Sequence, residues 1–449
     1  MVNVDAGAAW AALRGLPAMG LPRRLSPLTA IRVPDDLDAV TSVAPDEVDP
    51  AEVGMESGSA DQIWDGVRRL YGTAMNQSIA LCVRRDGQVI LDRAIGHVTG
   101  NEPDADPDAE MIPVHHTTPH LIASASKAVT AMLIHLLDQR GQLHIDDRVA
   151  DYIPEFARHG KDTITIGHVL SHKAGVPNIP PEALDLDLLD DENHALEIMI
   201  DAKPFHQPGR LVAYHAISGG FVLAEIVKRV TGSPIKDFLE AEILKPLGFE
   251  RMTFGTPAAD VPLVAKGHSA GLPVLPPMSQ FFERALGKPL PELNELLNDP
   301  RVFAGVIPSG NIVGSAREVS RFFELLRVGG TLDRVEIFEP RTIRRAITEQ
   351  SYMQIDFALG FPFRYAYGFM LGAKVFSLYG PETHWAFGHL GYVNTICWAD
   401  PERRVSGAFL LAGKPIIGPH LYPLWNVMRT ITQVAPRDGL ADSPLITEA

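Results

Sequence analysis

The chain has 449 residues, room for one large two-lobed enzyme or two to three small domains. Apolar residues make up 46% and charged residues 21%, ordinary globular usage that excludes disorder for the bulk of the chain. Lys and Arg number 40 against 55 Asp and Glu, a net charge of −15, and so acidic a surface argues against nucleic-acid and membrane partners.

Residues 1–55 are rich in Pro, Asp and Ala with weak periodicity, and are expected to form an extended N-terminal arm. Asp5 and Arg14 interrupt any signal-peptide pattern, and no run approaches the roughly 20 apolar residues of a membrane span, so a cytoplasmic location is expected. Ser59 and Gln62 suggest a capping box, with Ile63, Val67, Leu70 and Tyr71 on one helical face. Ile79–Val83 and Val89–Ile95 flank Arg84-Arg85-Asp86-Gly87, whose Asp-Gly step predicts a hairpin. Ser124–Arg140 reads as a helix stopped by Gly141. Helical patterns follow at Ile164–Leu170, Leu184–Ala202 and Gly219–Val230, and Ser233-Pro234 opens another that runs to Leu244.

Prolines and glycines crowd Pro262–Pro277. Ser315 and Glu318 then cap a helix through Leu326. Strand patterns return at Tyr367–Leu371, Val375–Leu378, Val393–Trp398 and Val405–Leu411, and Pro423–Thr432 closes as a helix. A lone hairpin is marginal in water, so the strands at the two chain ends are expected to share one sheet. The fold class is therefore α+β. An antiparallel sheet is built from both chain ends (56–142 and 307–449) and flanked by helices, with a mostly helical lobe (143–306) inserted. Cys82 and Cys397 each sit in an apolar run and are expected to be buried thiols rather than a disulfide framework.

Three short motifs compete for the role of nucleophile. Ser233-Pro234-Ile235-Lys236 is explained by capping: Ser233 follows a helix stop and precedes a proline suited to the first turn. Lys236 shares its helix with Asp237, Glu240 and Glu242 and is expected to be solvated. Gly267-His268-Ser269-Ala270-Gly271 would need a strand-to-helix turn, and the prolines at 273, 276 and 277 forbid the helix. Ser124-Ala125-Ser126-Lys127 differs from both. The stretch after it, Ala128–Leu137, is apolar nearly all round, so Lys127 heads a buried helix. Burial lowers a lysine toward neutrality and makes it a base, and three residues of helix bring Ser124 within its reach.

These residues carry a resemblance. Thr118-Pro119 through Lys127 resembles the nucleophile segment of the serine β-lactamase-like superfamily, which includes class C β-lactamases, D-Ala-D-Ala carboxypeptidases and family VIII carboxylesterases. Leu170-Ser171-His172-Lys173-Ala174-Gly175-Val176-Pro177 resembles the family's "LLTHTSGLP" loop. Val230-Thr231-Gly232 with Pro246-Leu247-Gly248, and Gly388-His389-Leu390-Gly391, follow in the family's order. The resemblance implies Ser124 as nucleophile and Lys127 and Tyr214 as the groups that move its proton. A tyrosinate at Tyr214, favoured by two flanking cations, is part of that expectation. The resemblance further implies an oxyanion hole from the backbone N–H groups of Ser124 and Tyr392, with His389 and Gly391 as the third motif. Ala216 stands where lactamases carry Asn, and His389 where they carry Lys, and both changes favour neutral esters.

The expected activity is hydrolysis of small or short-acyl carboxylic esters through a Ser acyl-enzyme, with a small-molecule ester as the partner and no cofactor. A β-lactamase or D-amino-acid peptidase, an acyltransferase, and a silent binding protein of the same fold are the alternatives. His115, His116 and His120 cluster without an acidic or Cys partner at ligand spacing, so no metal site is expected.

Overall fold

The computed structural model describes residues 28–106, 108–177, 186 and 192–446. Its centre is a ten-stranded antiparallel sheet. In chain order the strands are β1 (Thr41–Val43), β2 (Ser78–Arg85), β3 (Gln88–Thr99), β4 (Ile112–Pro113), β5 (Ser351–Ile355), β6 (Pro362–Tyr365), β7 (Met370–Leu371), β8 (Phe387–Leu390), β9 (Ile396–Asp400) and β10 (Val405–Leu411). Their spatial order is β1-β3-β2-β10-β9-β8-β7-β6-β5, with β4 on the far end of β3. The two chain ends meet where β2 pairs β10, from Ile79 opposite Leu411 to Arg85 opposite Val405. The expected joint sheet is therefore the observed one.

Both faces of the sheet are covered, which is why β2 and β10 are buried along their whole length. The two-residue period divides their side chains. Ile79, Leu81, Val83, Phe409 and Leu411 pack toward helices α1 (Ser59–Tyr71) and α6 (Leu421–Val434). Ala80, Cys82, Ala408 and Leu410 pack toward α2 (Ser126–Gln139) and α5 (Ala316–Arg327). Cys82 and Cys397 are both buried free thiols. Between α2 and α5 in sequence lie α3 (Ser218–Thr231), closed by left-handed Gly232, and α4 (Met278–Leu286). No helix among the described residues is long and apolar enough to cross a membrane.

Several local expectations change. Helix α1 is capped by Gly58, and Ser59 spends its hydroxyl on the Glu56 carbonyl, so the capping box does not form. Pro234, not Ser233, caps the helix that starts at Ile235. Val375–Leu378 is not a strand: Val375 and Phe376 are 71% and 85% exposed in a loop. Positive φ at Val393 and Asn394 turns the chain, so β9 begins only at Ile396. The first part of the Leu184–Ala202 pattern lies largely outside the described residues; Glu192–Asp201 is helical. Strands β5, β6 and β8, and helices α4, Leu290–Leu297 and Pro340–Ala346, were not expected.

One glycine in the sheet is dictated by its neighbour. Gly407 is the register partner of Trp398, and a Cβ there would sit 2.3 Å from the buried indole. Gly407→Ala is expected to cost about 1–3 kcal/mol by overpacking. Urea unfolding should show a lower midpoint at unchanged m value.

Candidate active site

Ser124 lies in a short 3-10 turn, Ala123–Ala125, that runs into α2. Ala123 has a φ of 47°, left-handed for a residue with a Cβ, so the chain is held in a sparsely populated conformation just before the serine. Neighbours hold it there. Ile122 donates its N–H to the Ile312 carbonyl at 3.0 Å, and Ser126 Oγ accepts the Ile312 N–H at 3.0 Å. Ser124 itself is half-buried.

Helix α2 is buried from Ser126 to Leu137, as its sequence predicts. Lys127 on its first turn places Nζ 3.1 Å from Ser124 Oγ, 2.7 Å from the Ala216 carbonyl and 3.0 Å from the Ser309 carbonyl. These three partners are neutral oxygens. Burial pushes the ammonium down to about 7. A neutral amine has two N–H donors and one lone pair. The two carbonyls can only accept, so they take both hydrogens and leave the lone pair facing the serine hydroxyl. In that state Ser124 donates to Lys127.

Ser309 was not legible from sequence, because its contribution is a backbone oxygen. Its segment is fixed by Asn311, whose side chain donates to the carbonyls of Val302 (2.8 Å) and Gly305 (2.6 Å) and accepts the Ile307 N–H at 2.8 Å.

Tyr214 is buried, and its ring lies 4.8 Å from Lys127 Nζ. Ser124 is among the groups close enough to act on its phenol. The expectation of a tyrosinate is corrected: burial raises this phenol above the ordinary tyrosine range, and the carboxylate of Asp356 adds to the rise. Tyr214 is a neutral O–H group here. The motif loop reaches it through His172, whose ring is 4.7 Å from that of Tyr214 and whose Nδ1 accepts the His215 N–H at 3.2 Å.

His389 ends up beside these groups, its ring 6.1 Å from that of Tyr214. Nδ1 lies 2.6 Å from the Leu390 carbonyl and must therefore carry the proton, leaving Nε2 as an acceptor. Burial, with Lys127 nearby, pushes its pKa down to about 3. Gly391 follows, and a Cβ there would lie 2.5 Å from the Ile122 carbonyl, so only glycine lets this strand end pass the turn that carries Ser124. Tyr392 and Ala123 line one small cavity together with Lys414. No hydrogen bond among the described residues occupies the N–H of Ser124 or of Tyr392.

The competing serines lie elsewhere. Ser269 is exposed in a loop and accepts from Asn294 Nδ2 at 2.7 Å. Lys236 is not solvated among acids as expected but donates to the Gly255 carbonyl at 2.7 Å. Among the histidines of the cluster, His116 pairs with Ser42 at 3.1 Å and His120 with Ser78 at 2.8 Å.

The neutral imidazole of His389 has a consequence for stability. An unfolded histidine titrates near 6.5, so between that value and about 3 the unfolded chain binds the extra proton. The stabilisation is complete above pH 6.5 and is lost as the pH falls. From pH 7 to pH 5 this group alone should remove about 2 kcal/mol of stability. Urea titrations should show His389→Gln losing correspondingly less than the native chain over that range. An equal loss in both would contradict the buried neutral state.

A family model for Beta-lactamase matches residues 67–427. The "Esterase/beta-lactamase LipL" of Mycobacterium tuberculosis is 27% identical over 354 residues, 76% of this chain and 77% of LipL. A crystal structure of a family VIII carboxylesterase superposes with a TM-score of 0.71 at 25% identity, covering 84% of this chain and 98% of the other. A penicillin-binding protein homologue from Caulobacter crescentus superposes with a TM-score of 0.71 at 26% identity, covering 85% of this chain and 99% of the other. With its buried Ser-x-x-Lys pair at the head of α2 and a family match over most of its length, the chain belongs to the Beta-lactamase family of serine hydrolases.

Proposed function

We propose that this protein is a carboxylesterase that hydrolyses small or short-acyl esters through an acyl-enzyme on Ser124. The observation that carries the reading is the three-way coordination of Lys127, which turns a near-neutral lone pair onto the serine hydroxyl. Lys127 takes the proton as Ser124 Oγ attacks the ester carbonyl. The N–H groups of Ser124 and Tyr392 receive the oxyanion. Tyr214, neutral and with its ring beside Lys127, gives its proton to the departing alkoxide and is reprotonated by Lys127. Water then attacks the acyl group, and the same residues run in reverse.

Esters are favoured over lactams by two positions. His389 is neutral at every pH at which Lys127 is a base, so it offers no cation to a substrate carboxylate. Ala216 has no side-chain amide, and its carbonyl is committed to Lys127. An unpaired carboxylate or amide in a closed site costs about 1–3 kcal/mol each, together a factor of about 10² to 10⁴ in turnover. LipL is named both esterase and β-lactamase, so its name fits the ester reading without deciding between the two substrates.

The test is kcat/KM for p-nitrophenyl acetate and butyrate beside a chromogenic cephalosporin on one preparation. The esters should be better substrates by about 10² or more. Ser124→Ala should abolish turnover, whereas Ser233→Ala and Ser269→Ala should keep most of it. Ala216→Asn combined with His389→Lys should raise the ratio of lactam to ester hydrolysis. A cephalosporin kcat/KM equal to that of the esters, or a ratio unmoved by the double substitution, would overturn the assignment of specificity to these positions.

A further inference from the structure

We propose that Asp356, buried in the turn between β5 and β6, is the positioning residue that holds Tyr214 in place to protonate the leaving alkoxide. The proposal rests on the acyl-enzyme reading above. Asp356 is fully buried and unpaired with any cation among the described residues. All its partners are neutral donors. Oδ1 accepts the N–H groups of Tyr214 (3.1 Å), Ala358 (2.8 Å) and Leu359 (3.0 Å). Oδ2 accepts the Tyr365 hydroxyl at 2.9 Å.

Two routes lead from this carboxylate to the phenol. The first fixes the backbone. Besides the bond to Tyr214 N–H, Phe357 donates to the Val212 carbonyl at 2.9 Å, so the turn is stitched to the irregular segment that carries the tyrosine. The turn is closed on itself by the Asp356 N–H to the Phe361 carbonyl (2.9 Å) and the Gly360 N–H to the Asp356 carbonyl (2.7 Å). The second route fixes the ring. Tyr365, held by Oδ2, lies 5.0 Å from the ring of His172, which also packs 4.7 Å from the Tyr214 ring. Val212–Tyr214 has no helix or strand of its own to define it. Without Asp356 the Tyr214 N–H and the Tyr365 ring lose their common anchor.

A buried carboxylate is costly unless something requires it. Four converging donors explain the acceptor. Its charge, close to Tyr214, disfavours a phenolate and so keeps the tyrosine a donor. The other groups that face the phenol are Lys127, Ser124, His172 and His389, and the two imidazoles are neutral. During acylation the ester C–O bond breaks and its electron pair goes to the alkoxide oxygen. That oxygen takes the Tyr214 proton, and the phenolate takes the proton that Lys127 removed from Ser124. A poor leaving group needs this proton, whereas p-nitrophenolate departs without it.

The test compares ethyl butyrate with p-nitrophenyl butyrate, which form the same acyl-enzyme. Asp356→Ala should lower kcat/KM for the ethyl ester about 100-fold, and about tenfold more than for the aryl ester. Asp356→Asn keeps an acceptor oxygen and should recover most of the loss. Tyr365→Phe removes one anchor and should shift the ratio the same way by about threefold, which keeps the test open if Asp356→Ala fails to fold. Titration of Ser124 with a fluorophosphonate counts intact sites in each variant. Equal losses on both esters in the Asp356 and Tyr365 variants would overturn the proposal, because a merely structural role predicts them. Tyr214→Phe separates the two levels. If it lowers the ethyl-to-aryl ratio while the Asp356 and Tyr365 variants do not, the positioning proposal alone falls. If it leaves the ratio unchanged, the role of Tyr214 falls with it.

Discussion

The burial of one amine organises this molecule. Lys127 is enclosed by an apolar helix with neutral oxygens as its partners, and no carboxylate among the described residues compensates it. A charged lysine there would cost several kcal/mol, so the fold drives it toward neutrality. Neutrality in turn dictates direction: two carbonyls claim the hydrogens and the serine receives the lone pair. The chemistry of the site follows from where α2 begins and what surrounds it.

The architecture supplies those surroundings from distant parts of the chain. The sheet closes by pairing β2 with β10, which brings the last third of the chain beside the first. Strand β8 thereby reaches the turn that carries Ser124, and Gly391 allows backbone to meet backbone there. The Ala216 and Ser309 carbonyls come from segments on either side of α3 in sequence. The site is thus assembled from four separated segments, and each contributes an atom whose position a packed element or a hydrogen-bonded turn defines.

The sequence exposes part of this arrangement and hides the rest, for physical reasons. A lysine in front of an unbroken apolar helix is a local contradiction, visible in a dozen residues, and it led to Ser124 and Lys127. Strands β2, β3 and β10 are long and alternate cleanly, so they were legible. Strand β7 has two residues and β6 begins with proline, and neither leaves a periodic trace. Val375–Leu378 misled in the opposite sense, because an apolar run carries no mark of being exposed. The Ser309 carbonyl and the Asp356 carboxylate were invisible. One acts through backbone, and the other through N–H groups that every residue has, with Tyr214 lying 142 positions away. The tyrosinate expected from neighbouring cations does not form because burial disfavours the phenolate and lowers Lys127 and both imidazoles, while the Asp356 carboxylate adds to the rise.

The central claim is that Lys127 is a neutral base near physiological pH, and direct titration of its side chain tests it. Lysine Nζ resonances can be followed by NMR in protein labelled with ε-¹⁵N lysine, on Ser124→Ala to prevent turnover, with the Lys127 signal assigned by its loss in Lys127→Gln. The account predicts a midpoint about 3 pH units below that of a free lysine near 10.4. A Lys127 signal that stays charged up to the ordinary lysine range would contradict it.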